Sequence, residues 1–537
     1  MQIQKGTVWH TYTTQSPAYD SAEETASKLI ETGMFLAILT PDNTFKCLSG
    51  SNVLSTKLSM QYENNGLGVR VDGVQHLDEL GVCNLTANAF FNCINLRLSE
   101  NKLFYITEQP YCGNIICCQK PFLIKTKEDE FFLLPIIRLY QNGIAHITFI
   151  DEERYNNELS FFIDSKINLP FKPSNSIIAS IEYTNKSIEL DYCSMNLFRR
   201  KLTKKVLSAQ FRDLEIKSKE ISDDDLIING RYIDYAKEFE IQNTLSDIAR
   251  TTIAVIHNTL KKKTLKGFIF GNKTTDFYHG WQGKPNIYMF SHDNQKSNAI
   301  RNERYNKELI SSLLGKSTFF IDEKGKQSHF DYRAFNDFNY YSEQGVTLTL
   351  CSKKTGSEYF PETYTESNLI WDNQVKSDLR DYISFFYESK IEQIKNESSH
   401  ISLATIQEEI IQFEEWLRVF SKKYGEIQEL IFKNIKSNDL ELARKNLAKM
   451  LASRMHVIKL KDASKSEASN RNITIAFGLV ASTSLSPVII KPFFEKLGLT
   501  KIISNYKLEN YSETIYYIFA VILVLASLWL VNKLNKK

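Results

Sequence analysis

The sequence predicts an α+β domain that continues into a long helical stalk and closes with a two-helix transmembrane hairpin. Three observations predict it. Two β-rich runs flank Asn142-Gly143 in "EFFLLPIIRLYQNGIAHITFIDEE", a strong short hairpin signal. Proline is missing between Pro361 and Pro487, and Gly425 is the only glycine between Gly356 and Gly478. Two charge-free runs, Ile473–Ile490 and Ile515–Val531, lie near the end.

The α+β part covers residues 1–370. Besides the hairpin, 34–40, 177–184, 286–291 and 345–351 read as strands, and 21–32 and 245–262 as helices. Pro135 within the first hairpin strand predicts an edge strand or a bulge. The stalk covers 371–472, with helical spacing over 374–396 and 403–436, as in Ile406, Ile410, Phe413, Leu417 and Phe420. Asn438 or Asp439 offers an N-cap for a third helix, whose Leu440, Leu447, Leu451, Met455 and Ile458 keep one face apolar.

The hairpin covers 473–531, with spans 473–490 and 515–531 and a basic cytosolic tail, 532–537. The second run has Tyr516 and Tyr517 at one end and Trp529 near the other, followed by Lys533, the arrangement that two bilayer interfaces select. The first run is either its partner span or a helix of the soluble part. Arg454, Lys459, Lys461, Lys465 and Arg471 before the hairpin, with Lys533, Lys536 and Lys537 after it, outnumber Lys491, Lys496, Lys501 and Lys507 in the loop. That bias places both termini in the cytoplasm.

Composition adds exclusions. The 537 residues are 42% hydrophobic and 24% charged with a net charge of +3, so no general affinity for nucleic acid is expected. Eight irregularly spaced cysteines suit reduced thiols, and Cys112, Cys117 and Cys118 lack the second Cys/His pair a zinc site needs. "GFIFGNKT" is one residue short of a phosphate loop, and Glu215-Ile216-Lys217 and Glu388-Ser389-Lys390 sit in charged helical texture. No enzyme signature emerges.

Two constellations remain. Thr474, Gly478, Ser482 and Ser486 recur every four residues, forming one stripe that serves either as a small-residue packing face or as a weakly polar pore wall. The segment 277–305 combines stacking surfaces (Tyr278, Trp281, Tyr288) with donors (His279, Lys284, Arg301, Arg304), the mixture that grips a base and a phosphate; the other reading is an exposed loop leading into a helix near Asn298.

A stalk continuous with "SEASNRNITIAFGLVASTSLSPVIIKPFFEKLGL", a short loop, a second span and a lysine-rich tail resemble the CorA family of divalent-cation channels. The family's Gly-Met-Asn tripeptide is replaced here by "VIIKPFFEKLG". The long first part is similar to the CorA-like effectors of type III CRISPR systems. The resemblance implies a homo-oligomeric, pentameric ion channel of the bacterial inner membrane. It would be gated from the cytosol by a nucleotide second messenger such as SAM-AMP, in antiviral defence, with a divalent cation as a possible ligand. The alternatives are a housekeeping magnesium transporter without the usual selectivity motif, and an anchored enzyme or binding module that does not conduct.

Overall fold

The computed structural model describes residues 1–49, 52–62, 69–72, 84–104, 113–194, 232–235, 244–261, 283–318, 329–333, 336–343, 345–360, 365–421, 438–485, 490–499 and 511–534. The chain divides into two units: Met1–Lys390 with Gln412–Arg444, and Ile391–Ile411 with Lys445–Lys537.

A fourteen-stranded sheet organises the first unit. The strands in chain order are β1 (Gln2–Gln15), β2 (Phe35–Leu39), β3 (Thr44–Ser49), β4 (Asn52–Lys57), β5 (Ser59–Tyr62), β6 (Val69–Asp72), β7 (Asn114–Gln119) and β8 (Phe122–Lys125). Then come β9 (Glu130–Tyr140), β10 (Ile144–Asp151), β11 (Tyr155–Glu158), β12 (Ser176–Ser180), β13 (Tyr232–Asp234), β14 (Lys284–His292), β15 (Phe338–Ser342) and β16 (Thr347–Cys351). Across the sheet the order is β15-β16-β14-β1-β10-β9-β7-β2-β3-β4, with β8, β11, β12 and β13 pairing off this path and β5 and β6 forming a separate ribbon. The helices are α1 (Ala22–Ile30), α2 (Asn84–Phe104), α3 (Ile181–Ser194), α4 (Leu245–Leu260), α5 (Ala299–Tyr305), α6 (Lys307–Gly315), α7 (Glu366–Asn396), α8 (His400–Ser421), α9 (Asn438–Leu485), α10 (Lys491–Lys496) and α11 (Ser512–Leu534).

The Asn142-Gly143 turn joins β9 to β10. Gly143 takes φ +82°, and a Cβ there would come within 2.9 Å of the Ser16 carbonyl oxygen, so glycine is required twice over. Pro135 does not mark an edge. β9 is internal, with β10 on one side and first β8, then β7 on the other. Pairing passes from Leu133↔Phe122 to Ile136↔Cys118, so on that side no partner residue faces Pro135 and its missing N–H forfeits no bond there. The strand expected over 177–184 stops at Ser180, whose hydroxyl accepts from the Tyr183 N–H (3.2 Å) and turns the chain into α3.

Strand alternation gives the sheet two unlike faces. One is apolar. Tyr12, Ile38, Ile115, Ile137, Leu139, Ile147 and Phe149 bury against α1 and α4, which contribute Leu29, Ile30, Ile248 and Ile256. Further along, Val8, Ile287, Met289, Leu348 and Leu350 bury against Leu309, Leu313 and Leu314 of α6. His10 is buried on the same side, its Nε2 3.4 Å from the Ile167 carbonyl and its Nδ1 without a hydrogen-bond partner among the described residues.

The transmembrane hairpin of the expected fold class is corrected. Among the described residues no helix is long and apolar enough to cross a membrane. Of the first run, Ile473–Leu485 lies in α9, and Ile490 immediately precedes the short helix α10. The apolar residues at the start of α11 have an intramolecular use. Tyr516 and Ala520 are buried with Ile490 and Phe494, and the Phe494 and Tyr516 rings meet edge-on at 5.3 Å. The fold is a large mixed sheet with helices, and among the described residues no spanning helix supports the membrane-protein and ion-channel readings. A long helix, α9, runs from Asn438 to Leu485.

Both local geometries are open to measurement. Gly143→Ala should lower stability by about 1–3 kcal/mol in chemical unfolding, since strain and a backbone clash coincide there. Burial pushes the His10 imidazole from 6.5 down to about 4. The folded state then holds fewer protons than the unfolded chain in that window, so this stability is intact above pH 6.5 and lost as pH falls toward 4. The stability difference between wild type and His10→Gln should shift by about 3 kcal/mol toward the variant between pH 7 and pH 4; a difference that does not move with pH would show His10 to be hydrated.

Candidate functional site

The second face of the sheet is polar and equally buried. Cross-strand rows define it. Arg138, His146 and Thr13 stand side by side on β9, β10 and β1. Thr148, Thr11 and Lys284 form the next row on β10, β1 and β14. Beyond them, Trp9, Asn286, Thr347 and Ser342 make a third, and Thr7, Tyr288, Thr349 and Tyr340 a fourth. An apolar helix laid over this surface would leave Arg138 and Lys284 without the carboxylates of α7 and the Tyr288 hydroxyl without its acceptor.

The first part of α7 covers it with matching chemistry. Gln374 Nε2 donates to Thr11 Oγ1 (3.0 Å) and to Asp378 Oδ1 (2.8 Å), while its Oε1 accepts from the Tyr288 hydroxyl (2.8 Å). Ser377 donates to Asn286 Oδ1 (2.7 Å) and its oxygen lies 2.9 Å from Thr347 Oγ1. Asn373 Nδ2 donates to Thr349 (3.1 Å). Trp371 meets Trp9 edge-on, with centroids 4.8 Å apart. Helical spacing puts 371, 374, 378 and 381 on one face, so the whole layer is one stripe of α7.

Two ion pairs join α7 to the sheet. Arg138 binds Asp378, and its other terminal nitrogen reaches Glu100 of α2 at 3.2 Å. Glu100 also pairs with Arg97 (3.2 Å) and accepts from Asn114 Nδ2 (2.8 Å). Lys284 binds Asp381 at 2.9 Å, with side chains 0% and 3% exposed. Burial pushes Asp378 up to about 6, with Arg138 opposing. Asp381 is likewise raised by burial, and Lys284 is lowered by burial against the pull of Asp381. Burial works against the Arg138 cation, but Asp378 and Glu100 carry its pKa upward. His146 is held well below its ordinary range by burial, with Arg138 and Lys284 adding to the effect. Its Nδ1 lies 2.9 Å from Thr13 Oγ1, while its Nε2 and Asp381 Oδ2 have no hydrogen-bond partner among the described residues.

The sequence-predicted ligand residues separate. Lys284 is not a free donor but a member of this layer. Arg301 and Arg304 are exposed on α5, which lies beyond the far end of β14. Tyr278, His279 and Trp281 lie outside the described residues, as do "GFIFGNKT" and Glu215-Ile216-Lys217. Thr474 is exposed, its hydroxyl donating to the Asn470 carbonyl (2.8 Å); Gly478 and Ser482 belong to α9, and Ser486 lies outside the described residues. Cys117 and Cys118 are buried free thiols on β7, and no His/Cys/Asp/Glu group with metal-holding geometry occurs among the described residues. Sequence reasoning missed Arg138, His146, Asp378 and Asp381. The available signal was the alternation "TVWHTYTT", "KPNIYMF" and "VTLTLC", in which polar residues recur every second position with Lys284 as the one charge.

No family model, no curated protein and no solved structure matches the chain.

Breaking a buried pair from one side costs far more than replacing it whole. Asp381→Ala, which leaves Lys284 buried and uncompensated, should lower stability by about 3–5 kcal/mol in urea unfolding. Lys284→Met combined with Asp381→Leu should recover most of that loss. A single-variant cost below about 1 kcal/mol would mean the pair is solvated.

Proposed function

We propose that the chain is a non-catalytic coupling module, in which the sheet domain holds α7 through a charged, hydrogen-bonded layer and re-seating of that helix is the output. The observation that carries this reading is the chemistry of the layer. α7 meets the sheet through Gln374, Ser377, Asp378 and Asp381. A helix fixed for stability alone is served better by apolar contacts, because buried ion pairs contribute little net stabilisation. A polar layer is easier to wet and separate, since each group can exchange its partner for water.

The incompleteness at His146 Nε2 and Asp381 Oδ2 supports the same reading, as partly satisfied networks are weak points of a fold. Burial of both carboxylates beneath α7 supports a role other than catalysis, since a substrate has no route to them while the helix is seated. α7 carries the chain out of the first unit at Lys390.

Native-state hydrogen exchange tests the coupling role. Amides of α7 between 371 and 385 should open with a free energy several kcal/mol below that of β1 and β10. A Thr347→Cys/Ser377→Cys disulfide, placed where the two hydroxyl oxygens are 2.9 Å apart, should abolish the difference. Exchange of α7 only through global unfolding would refute the proposal.

A further inference from the structure

The face of α5 brings exposed apolar side chains together with basic ones. Tyr305 is 62% exposed and Ile300 is 54% exposed on this seven-residue helix. Two cations lie against the Tyr305 ring, Arg304 at 5.6 Å and Lys296 at 5.8 Å from its centroid. Arg301 is fixed beside them by a 3.3 Å bond to Ser297. The backbone N–H of Lys353 donates to the Lys296 carbonyl (2.9 Å), which brings a further cation to the same place. Among the described residues, Lys296, Arg301, Arg304 and Lys353 lie within ion-pair distance of no carboxylate, whereas Arg333 nearby takes both Glu303 and Asp331.

We propose that this face binds single-stranded nucleic acid, with Tyr305 stacking on a base and Lys296, Arg301, Arg304 and Lys353 holding flanking phosphates. An exposed ring among unpaired cations is the combination such strands need, because stacking is indifferent to sequence and the charges follow the backbone. A duplex keeps its bases stacked inside and offers Tyr305 nothing. An acidic polypeptide would satisfy the cations but leave the ring unused. The site is separate from the layer under α7, so the two proposals fail independently.

The test is fluorescence anisotropy of the full chain with a labelled oligothymidylate of about twelve nucleotides, titrated between about 50 and 200 mM salt. Tyr305→Ala should weaken binding about tenfold, with Tyr305→Phe close to wild type. Arg301→Ala with Arg304→Ala should reduce the slope of log affinity against log salt by about 1.4, at about 0.7 for each phosphate no longer neutralised. These side chains are exposed, so the melting temperature should not change. Three results would overturn the proposal: no binding at the lowest salt, unchanged affinity in Tyr305→Ala, or competition by polyglutamate as effective as by unlabelled oligothymidylate.

Discussion

A sheet that buries polar side chains on one face can be closed only by a surface that satisfies them. Here that requirement falls on the start of α7. Arg138 and Lys284 project from strands that are otherwise packed on a conventional apolar core; without Asp381 Lys284 would be an isolated buried cation, and without Asp378 Arg138 would keep only Glu100. Leaving either charge unmatched is more costly than losing any one apolar neighbour on the opposite face. While seated, the helix is thereby held in one rotational setting and one axial register. A turn too far in either direction would set Gln374 against Arg138, or Asp378 against the hydroxyls of Thr11 and Tyr288. Hydrophobic burial on the other face supplies bulk stabilisation but no such discrimination, because leucine and isoleucine accept many neighbours.

Much of the fold was legible locally. Asn142-Gly143 announced the hairpin because its left-handed backbone is nearly a glycine monopoly, and the proline-free stretch announced the long helices because nothing in it interrupts a hydrogen-bond ladder. Pro135 misled because partner exchange on an internal strand leaves a gap where proline is harmless. The charge-free runs near the end misled for another reason. Apolarity states that a segment is to be removed from water without saying by what, and Tyr516 and Ala520 find their cover in Phe494 and Ile490.

The polar layer was not legible, and the reason is sequence distance. Arg138 and Asp378 are 240 positions apart, and Lys284 and Asp381 are 97 apart. Threonine, asparagine and tyrosine on alternate strand positions have the same pattern whether they face solvent or a complementary helix. Only the covering element decides, and nothing in a strand's own sequence identifies it. Lys284 illustrates the difficulty: beside aromatic residues it suggested a phosphate ligand, yet its partner is a carboxylate from a helix far along the chain.

The two faces also differ in how the protein can change over generations. On the apolar side, Ile137, Ile147 or Leu348 can drift singly among aliphatic residues, each step small enough to be tolerated. On the polar side, Asp381 cannot be exchanged without Lys284, and Asp378 is tied through Arg138 to Glu100 and onward to Arg97. Change there must come as matched sets from four distant stretches of the chain. The layer is thus a ratchet on divergence: one half of the sheet can diverge freely while the other keeps its founding residues together or replaces them together.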